Sequence, residues 1–259
     1  MTRFALLTEF YPPDHGGIQA TLKPLAAALG DQVTVVAPQP AQPGERRVVR
    51  SLFSGSVRPR WWWLVGWLRQ AERQGLETAI FGHFSAAVLA AGIRRRSGLR
   101  YVILVHGNDL LSEQRRWYVR PLIGWLLRGA EFVGVNSKYV EQLVRAYRVP
   151  MVRIIHTHPF VLTRDIPAAI PRQPNFRLIT VGRLVPRKNV GAVIRALKAL
   201  RPRWPALSLD IVGDGPERER LQSLVAELNQ SVAVTFHGQI SEAEKWRLLG
   251  RADIFVMAT

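Results

Sequence analysis

Short aliphatic runs alternate along this chain with segments of helical period, and that alternation constrains its fold most. Residues 4–8, 33–37, 78–82, 101–106, 132–136 and 152–156 read as strands. Between them, 18–29, 61–71, 86–95, 117–127 and 139–147 read as helices, with Pro24 an awkward interior residue. Apolar strands separated by amphipathic helices predict an α/β protein whose parallel sheet is covered on both faces. The alternation restarts further on, with strands at 177–181, 207–212, 232–236 and 253–257 and helices at 190–200 and 217–228. Ser241 and Glu244 have the spacing of a capping box for one more helix, through Leu249. The expected organisation is a first domain over 1–160, a Pro- and Arg-rich linker over 161–175, and a second domain over 176–259. That second domain stops on a strand and is expected to be incomplete.

The turns joining strands to helices carry the chemistry. In Gly182-Arg183-Leu184-Val185-Pro186-Arg187-Lys188-Asn189, a strand delivers an arginine and a lysine into a helix start. Helix N-termini offer unpaired N–H groups and the positive end of a dipole, so the spot favours a phosphate or diphosphate. Arg183 has the planar fork that spans two phosphate oxygens, and Lys188 adds a compact charge. Gly16 and Gly17, after the first strand, allow close backbone approach to a ligand at a helix start, although such glycines equally serve turn geometry. Gly213-Asp214-Gly215-Pro216 is a second tight strand-to-helix turn, with Pro216 suited to the first turn of the helix. His106, in Val105-His106-Gly107-Asn108-Asp109, stands at the carboxyl end of a strand, where ligands collect in open α/β sheets. It is placed to donate to or polarise a sugar hydroxyl, or to be a satisfied structural histidine.

Other signals are weaker. His156 and His158 are spaced like metal ligands but have no third partner by spacing, so no metal is assigned. Trp61, Trp62, Trp63, Trp67 and neighbouring arginines suit either an interfacial membrane helix or a core helix. There is no G-x-S-x-G elbow, Walker A sequence or dinucleotide fingerprint.

Composition narrows the partners. The chain has 259 residues, 47% of them hydrophobic, enough to bury a sizeable core. The absence of cysteine excludes disulfides, thiolate nucleophiles and Cys-based zinc sites, and fits a reducing compartment. No apolar run reaches the ~18 residues that span a bilayer, and no signal peptide opens the chain, so a cytoplasmic location is expected. Thirty-six Lys and Arg against nineteen Asp and Glu give a formal charge of +17. Such an excess suits a nucleotide, an acidic lipid surface or nucleic acid, or a merely solvated basic face.

Taken in order, these motifs resemble those of a family 4 retaining glycosyltransferase with the GT-B fold, over essentially the whole chain. The resemblance implies two Rossmann-like domains with a nucleotide-sugar donor site between them. It implies that Arg183 and Lys188 bind the donor diphosphate with the Gly16-Gly17 turn, and that Gly213, Asp214 and Gly215 lie on the nucleotide side. It further implies that His106 contacts the transferred sugar, that Asn136-Ser137 ends a later strand of the first domain, and that residues 234–238 form a turn near the nucleotide. The implied reaction moves a sugar from a nucleoside diphosphate to a hydroxyl with retention, by a front-face route needing neither cofactor nor metal. The basic, Trp-rich region at 58–73 points to a lipid-linked acceptor, a polysaccharide being the alternative, with the protein at the inner face of the cell membrane where lipid is involved.

The chain departs from that pattern in places. Gln19 stands where an acidic or similar residue is usual, and 154–159 replaces a Pro-Asn-Gly-Val-Asp-like segment. The E-x7-E element that holds donor sugar and ribose is expected just after the final strand and does not follow it here. A chain ending there reads as truncated and inactive by itself, or as a non-catalytic, glycosyltransferase-like binding or partner protein. A nucleic-acid platform and a sugar-nucleotide epimerase fit these motifs less well.

Overall fold

The computed structural model describes residues 3–9, 11, 17–37, 48–49, 53–54, 58–59, 61–83, 87, 98–157 and 176–258. All of the helix expected at 86–95 except the buried Ala87, the linker at 161–175, Gly16 and His158 fall outside them. The chain divides into two compact units, Met1–Val161 and Leu162–Thr259.

The first unit is built on a seven-stranded, wholly parallel sheet. Its strands are β1 (Phe4–Leu7), β2 (Val33–Val36), β3 (Val48–Val49), β6 (Thr78–Phe81), β7 (Arg100–Val105), β8 (Phe132–Val135) and β9 (Ile154–His156), in the order β3-β2-β1-β6-β7-β8-β9. A separate antiparallel pair, β4 (Phe53–Ser54) and β5 (Arg58–Pro59), lies between β3 and α2 in the chain. Parallel neighbours require return crossovers, which α1 (Gly17–Leu29), α2 (Trp61–Arg73), α3 (Asn108–Gln114), α4 (Arg120–Gly129) and α5 (Lys138–Arg145) help to supply. Alternation along each strand sorts side chains to opposite faces. Leu6, Val33, Val35, Ile80 and Leu104 pack with Leu22 and Ala26 of α1. Leu7, Phe81, Ile103, Val133 and Val135 pack instead with Leu64 and Leu68 of α2, Ile123, Leu126 and Leu127 of α4, and Val140 and Val144 of α5. Each such burial contributes about 1.5–3 kcal/mol.

The second unit has a four-stranded parallel sheet of β10 (Arg177–Val181), β11 (Ser208–Val212), β12 (Val234–Gly238) and β13 (Ile254–Phe255), ordered β12-β11-β10-β13. Helices α6 (Val190–Leu200) and α7 (Arg218–Glu227) cover one face through Val193, Ile194, Leu197, Leu221 and Val225. Helix α8 (Glu242–Arg251) covers the other, with Leu248 and Ala252 against Ile179 and Val212.

Three local expectations change. The helix expected at 117–127 is a 3-10 turn, Trp117–Val119, followed by α4, because Pro121 lacks an N–H and fits only a first turn. The capping box at Ser241 is half-made. Its hydroxyl accepts from the Glu244 N–H at 3.2 Å, while the Glu244 carboxylate pairs with Arg247. Helix α2 presents Leu64 and Leu68, each 1% exposed, to the core with Trp67 packed alongside. This apolar stripe is a core face, not a lipid face; the side chains of residues 61–63 lie outside the described set.

Candidate active site

In the second unit, three turns at the carboxyl ends of β10, β11 and β12 are stitched together through backbone. Gly182 N–H donates to the Val212 carbonyl at 2.9 Å, Leu184 N–H to Asp214 at 2.9 Å, Glu217 N–H to Leu184 at 3.0 Å and Gly213 N–H to Gly238 at 2.8 Å. Gly213 and Gly215 are needed for this contact and not only for turning. A Cβ on Gly213 would stand 2.0 Å from the Gly182 carbonyl oxygen, and one on Gly215 2.5 Å from that of Leu184. The Asp214 carboxylate is used internally, accepting from the Gly215 N–H at 2.7 Å and from Arg218 Nη1 at 3.1 Å. Asp214 therefore holds the turn's shape, the role a short polar side chain commonly takes there.

That stitching fixes where the basic turn points. Leu184, 1% exposed, anchors the segment in the core and leaves Arg183 beside it exposed. Pro186–Lys188 forms a 3-10 turn, and Asn189 adopts the left-handed conformation (φ 45°, ψ 39°) before α6. The Asn189 side chain makes no capping bond at the start of α6; the Ala192 N–H donates to the Asn189 carbonyl at 2.9 Å, and the helix N–H groups ahead of it have no intrahelical acceptor. Gly182, Arg183, Lys188, Val190 and Met257 line one concavity, with Lys188 Nζ 3.5 Å from Met257 Sδ. Two cations, an uncapped helix start and a glycine thus border one space.

Residues 234–238, expected to form a turn, are strand β12, because their apolar run pairs with β11. His237 Nε2 lies 2.7 Å from Asp210 Oδ1, inside the unit. Asp210 Oδ2 is buried without a hydrogen bond, 3.7 Å from Arg177 Nε.

In the first unit, His106 follows β7. Its backbone N–H donates to the Asp109 carboxylate at 3.1 Å, which also accepts from the Leu110 N–H at 2.9 Å. Gly107 (φ 95°) makes the turn that brings Asp109 back, and a Cβ there would press on Val140 at 3.0 Å. His106 Nε2 lies 3.0 Å from the Gly82 carbonyl oxygen. A carbonyl only accepts, so Nε2 carries the proton, and the neutral ring offers Nδ1 as an acceptor. The ring donates from Nδ1 only when positively charged, so of the expected roles the Gly82 bond fits a structural histidine, and a sugar hydroxyl would meet the neutral ring as an acceptor.

Two neighbours escaped the sequence reading. Asp109, 5% exposed, braces the His106 turn. His83, at the end of β6, is held below the ordinary histidine value of 6.5 chiefly by burial, with the Asp109 carboxylate opposing and the His106 ring adding to it. The available signal was a repeated pattern: an apolar run ending in Gly82-His83, like the one ending in His106-Gly107.

The remaining candidates take other roles. Ser137 caps α5, accepting from the Val140 N–H at 3.3 Å. His156 Nε2 pairs with Glu141 at 2.9 Å, and among the described residues no three acidic or histidine side chains group as metal ligands. Gly17 opens α1, and a Cβ there would meet nothing within 4 Å. No described helix is long and apolar enough to cross a membrane.

Residues 16–161 match the family model described as Glycosyltransferase Family 4, and residues 164–259 match Glycosyl transferases group 1. A GDP-mannose-dependent alpha-(1-6)-phosphatidylinositol monomannoside mannosyltransferase of Mycolicibacterium smegmatis is 29% identical over 97% of this chain and 71% of its own length. Among solved structures, sucrose-phosphate synthase of Thermosynechococcus elongatus is similar with a TM-score of 0.76 at 18% identity, covering 98% of this chain and 75% of its own. Anabaena Alr3699/HepE in complex with UDP-glucose is similar with a TM-score of 0.75 at 16% identity, covering 99% and 74%. The fold is GT-B, with two Rossmann-like α/β units built on parallel sheets.

Proposed function

The chain belongs to Glycosyltransferase Family 4, and on that premise we propose that it serves transfer of a hexose from a nucleoside diphosphate sugar to a hydroxyl, with retention at the anomeric carbon. The observation that carries the reading is the joint placement of Arg183, Lys188 and the uncapped start of α6 around one concavity. Departure of the sugar leaves negative charge on the diphosphate, and fixed donors aimed at developing charge lower the barrier. Arg183 and Lys188 are the diphosphate ligands, while Gly16 and Gly17 keep the donor-side role that the family resemblance implies. Gly213, Asp214 and Gly215 shape the nucleotide side by locking the basic turn in place. In this reading the protein's own cations meet the diphosphate charge, and neither metal nor organic cofactor is required.

His106 positions the sugar. With Nε2–H committed to Gly82, Nδ1 accepts a hydrogen bond from a sugar hydroxyl. In the front-face step, the bond from the anomeric carbon to the phosphate oxygen breaks. The acceptor oxygen bonds to the same face of that carbon, and the acceptor's proton passes to the departing phosphate. No residue of this chain is assigned to the task of the family's E-x7-E element. The acceptor is lipid-linked or a polysaccharide, and the reaction runs in the cytoplasm, at the inner membrane face for a lipid acceptor. The Mycolicibacterium relative, named for a phosphatidylinositol monomannoside, supports the lipid choice.

Equilibrium titration tests the donor assignment. GDP or UDP should bind at least tenfold more tightly than the matching nucleoside, because the site is built around the diphosphate. Equal affinity for nucleoside and diphosphate would remove it.

A further inference from the structure

The turn between α3 and α4 displays apolar aromatic surface where a folded chain ordinarily hides it. Trp117 is 78% exposed and Tyr118 64%, their rings stacked edge to face at 6.1 Å. Leu122, on the first turns of α4, is exposed beside them in the sequence. Arg115, Arg116 and Arg120 are exposed too; the segment's one exposed-side acid, Glu113, is 3.9 Å from Arg116. Topology fixes which end of the unit carries this cluster. β7 and β8 are parallel, so α4 runs back against them and its N-terminus lies at the carboxyl end of the sheet. That is the end that carries His106.

We propose that Arg115, Arg116, Trp117, Tyr118, Arg120 and Leu122 form a docking surface for an anionic lipid bilayer. Tryptophan and tyrosine favour the headgroup boundary, where one part of the ring is apolar and the other wet. Arginines beside them meet anionic headgroups, and charge complementarity selects lipid over an apolar protein partner. The contact is interfacial, since no described helix is able to span the membrane. It deepens the proposed transfer, and rests on that reading for the acceptor, by bringing His106's end of the unit to a surface where lipid-linked hydroxyls reside. It also moves membrane contact away from α2, whose Leu64 and Leu68 are in the core.

The test is co-sedimentation with phosphatidylglycerol-containing and pure phosphatidylcholine vesicles, without nucleotide. Binding should require the anionic lipid, and Arg115→Gln/Arg116→Gln should weaken it about tenfold. Trp117→Ser/Tyr118→Ser should weaken it by a similar factor, with the thermal midpoint unchanged because these side chains are exposed. Arg69→Gln/Arg73→Gln on α2 removes the same charge and should leave binding within about twofold, since the proposal gives α2 no lipid contact. Equal losses in the two arginine pairs would reduce the effect to the bulk charge of +17 and overturn the proposal. So would a concentration-dependent dimer, without vesicles, that Trp117→Ser/Tyr118→Ser abolishes. Because no nucleotide is present, failure here leaves the donor reading intact, and loss of diphosphate binding leaves this surface intact.

Discussion

The backbone of Gly213 approaches that of Gly182 so closely that a Cβ on Gly213 would lie 2.0 Å from the Gly182 carbonyl oxygen. The contact joins the Gly-Asp-Gly-Pro turn to the basic turn that holds Arg183 and Lys188. Gly213→Ala (φ 124°) must therefore strain its own backbone and push the two turns apart. The expected cost is about 3 kcal/mol or more, read as a fall in urea midpoint, together with weaker diphosphate binding. A melt like that of the wild type would show that the turns do not need this contact.

Gly17 makes the opposite case. Nothing lies within 4 Å of its Cβ position, and it begins a helix. Gly17→Ala is expected to hold or slightly raise stability, by up to about 1 kcal/mol, while weakening donor binding. Thermal melts and diphosphate titrations on the same preparation check both halves.

The Gly82 carbonyl fixes the His106 tautomer. Nitrogen-15 spectra of the neutral ring should show protonated Nε2 and bare Nδ1. In His106→Gln the amide keeps the bond to Gly82 and removes the Nδ1 acceptor, so stability should change by less than about 1 kcal/mol. Binding of a nucleoside diphosphate sugar should weaken by about tenfold, with the sugar-free diphosphate bound as in the wild type. A neutral ring protonated at Nδ1 would contradict the assignment.

His83 makes stability pH-dependent. Burial, its largest cause, holds the folded-state value below 6.5, so below that pH the unfolded chain binds more protons than the folded one. Stability is then fully present at higher pH and is lost as pH falls through 6.5 toward the folded value. Urea midpoints at pH 7.5 and 5.5 should differ more for the wild type than for His83→Asn. An identical difference in both would remove His83 as the cause.

Much of this was legible in the sequence, for identifiable reasons. Buried parallel strands demand unbroken apolar runs, so β10 and α6 fall where the periodicity of 177–181 and 190–200 puts them. Short edge strands such as Val48–Val49 carry too few residues for a period and were missed. Arg183 and Lys188 stood out because two cations flank a helix start. Asp109 and His83 did not, since their importance comes from folding against His106 and not from their neighbours in the chain. The tryptophan-rich segment suited either an interfacial or a core helix, since a hydrophobic period alone does not say what covers the apolar side; Leu64 and Leu68 turn out to face the core.

The most direct test of the account is isothermal titration of GDP and UDP into the wild type, Lys188→Ala and Arg187→Gln. Removing a charge-assisted contact costs about 1.5–3 kcal/mol, so Lys188→Ala should weaken diphosphate affinity by roughly ten- to a hundredfold. Arg187→Gln changes charge by the same amount on a side chain to which no diphosphate contact is assigned, and should stay within about twofold of the wild type. If Lys188→Ala binds the diphosphate as the wild type does, the basic turn is not the donor site and the central claim fails.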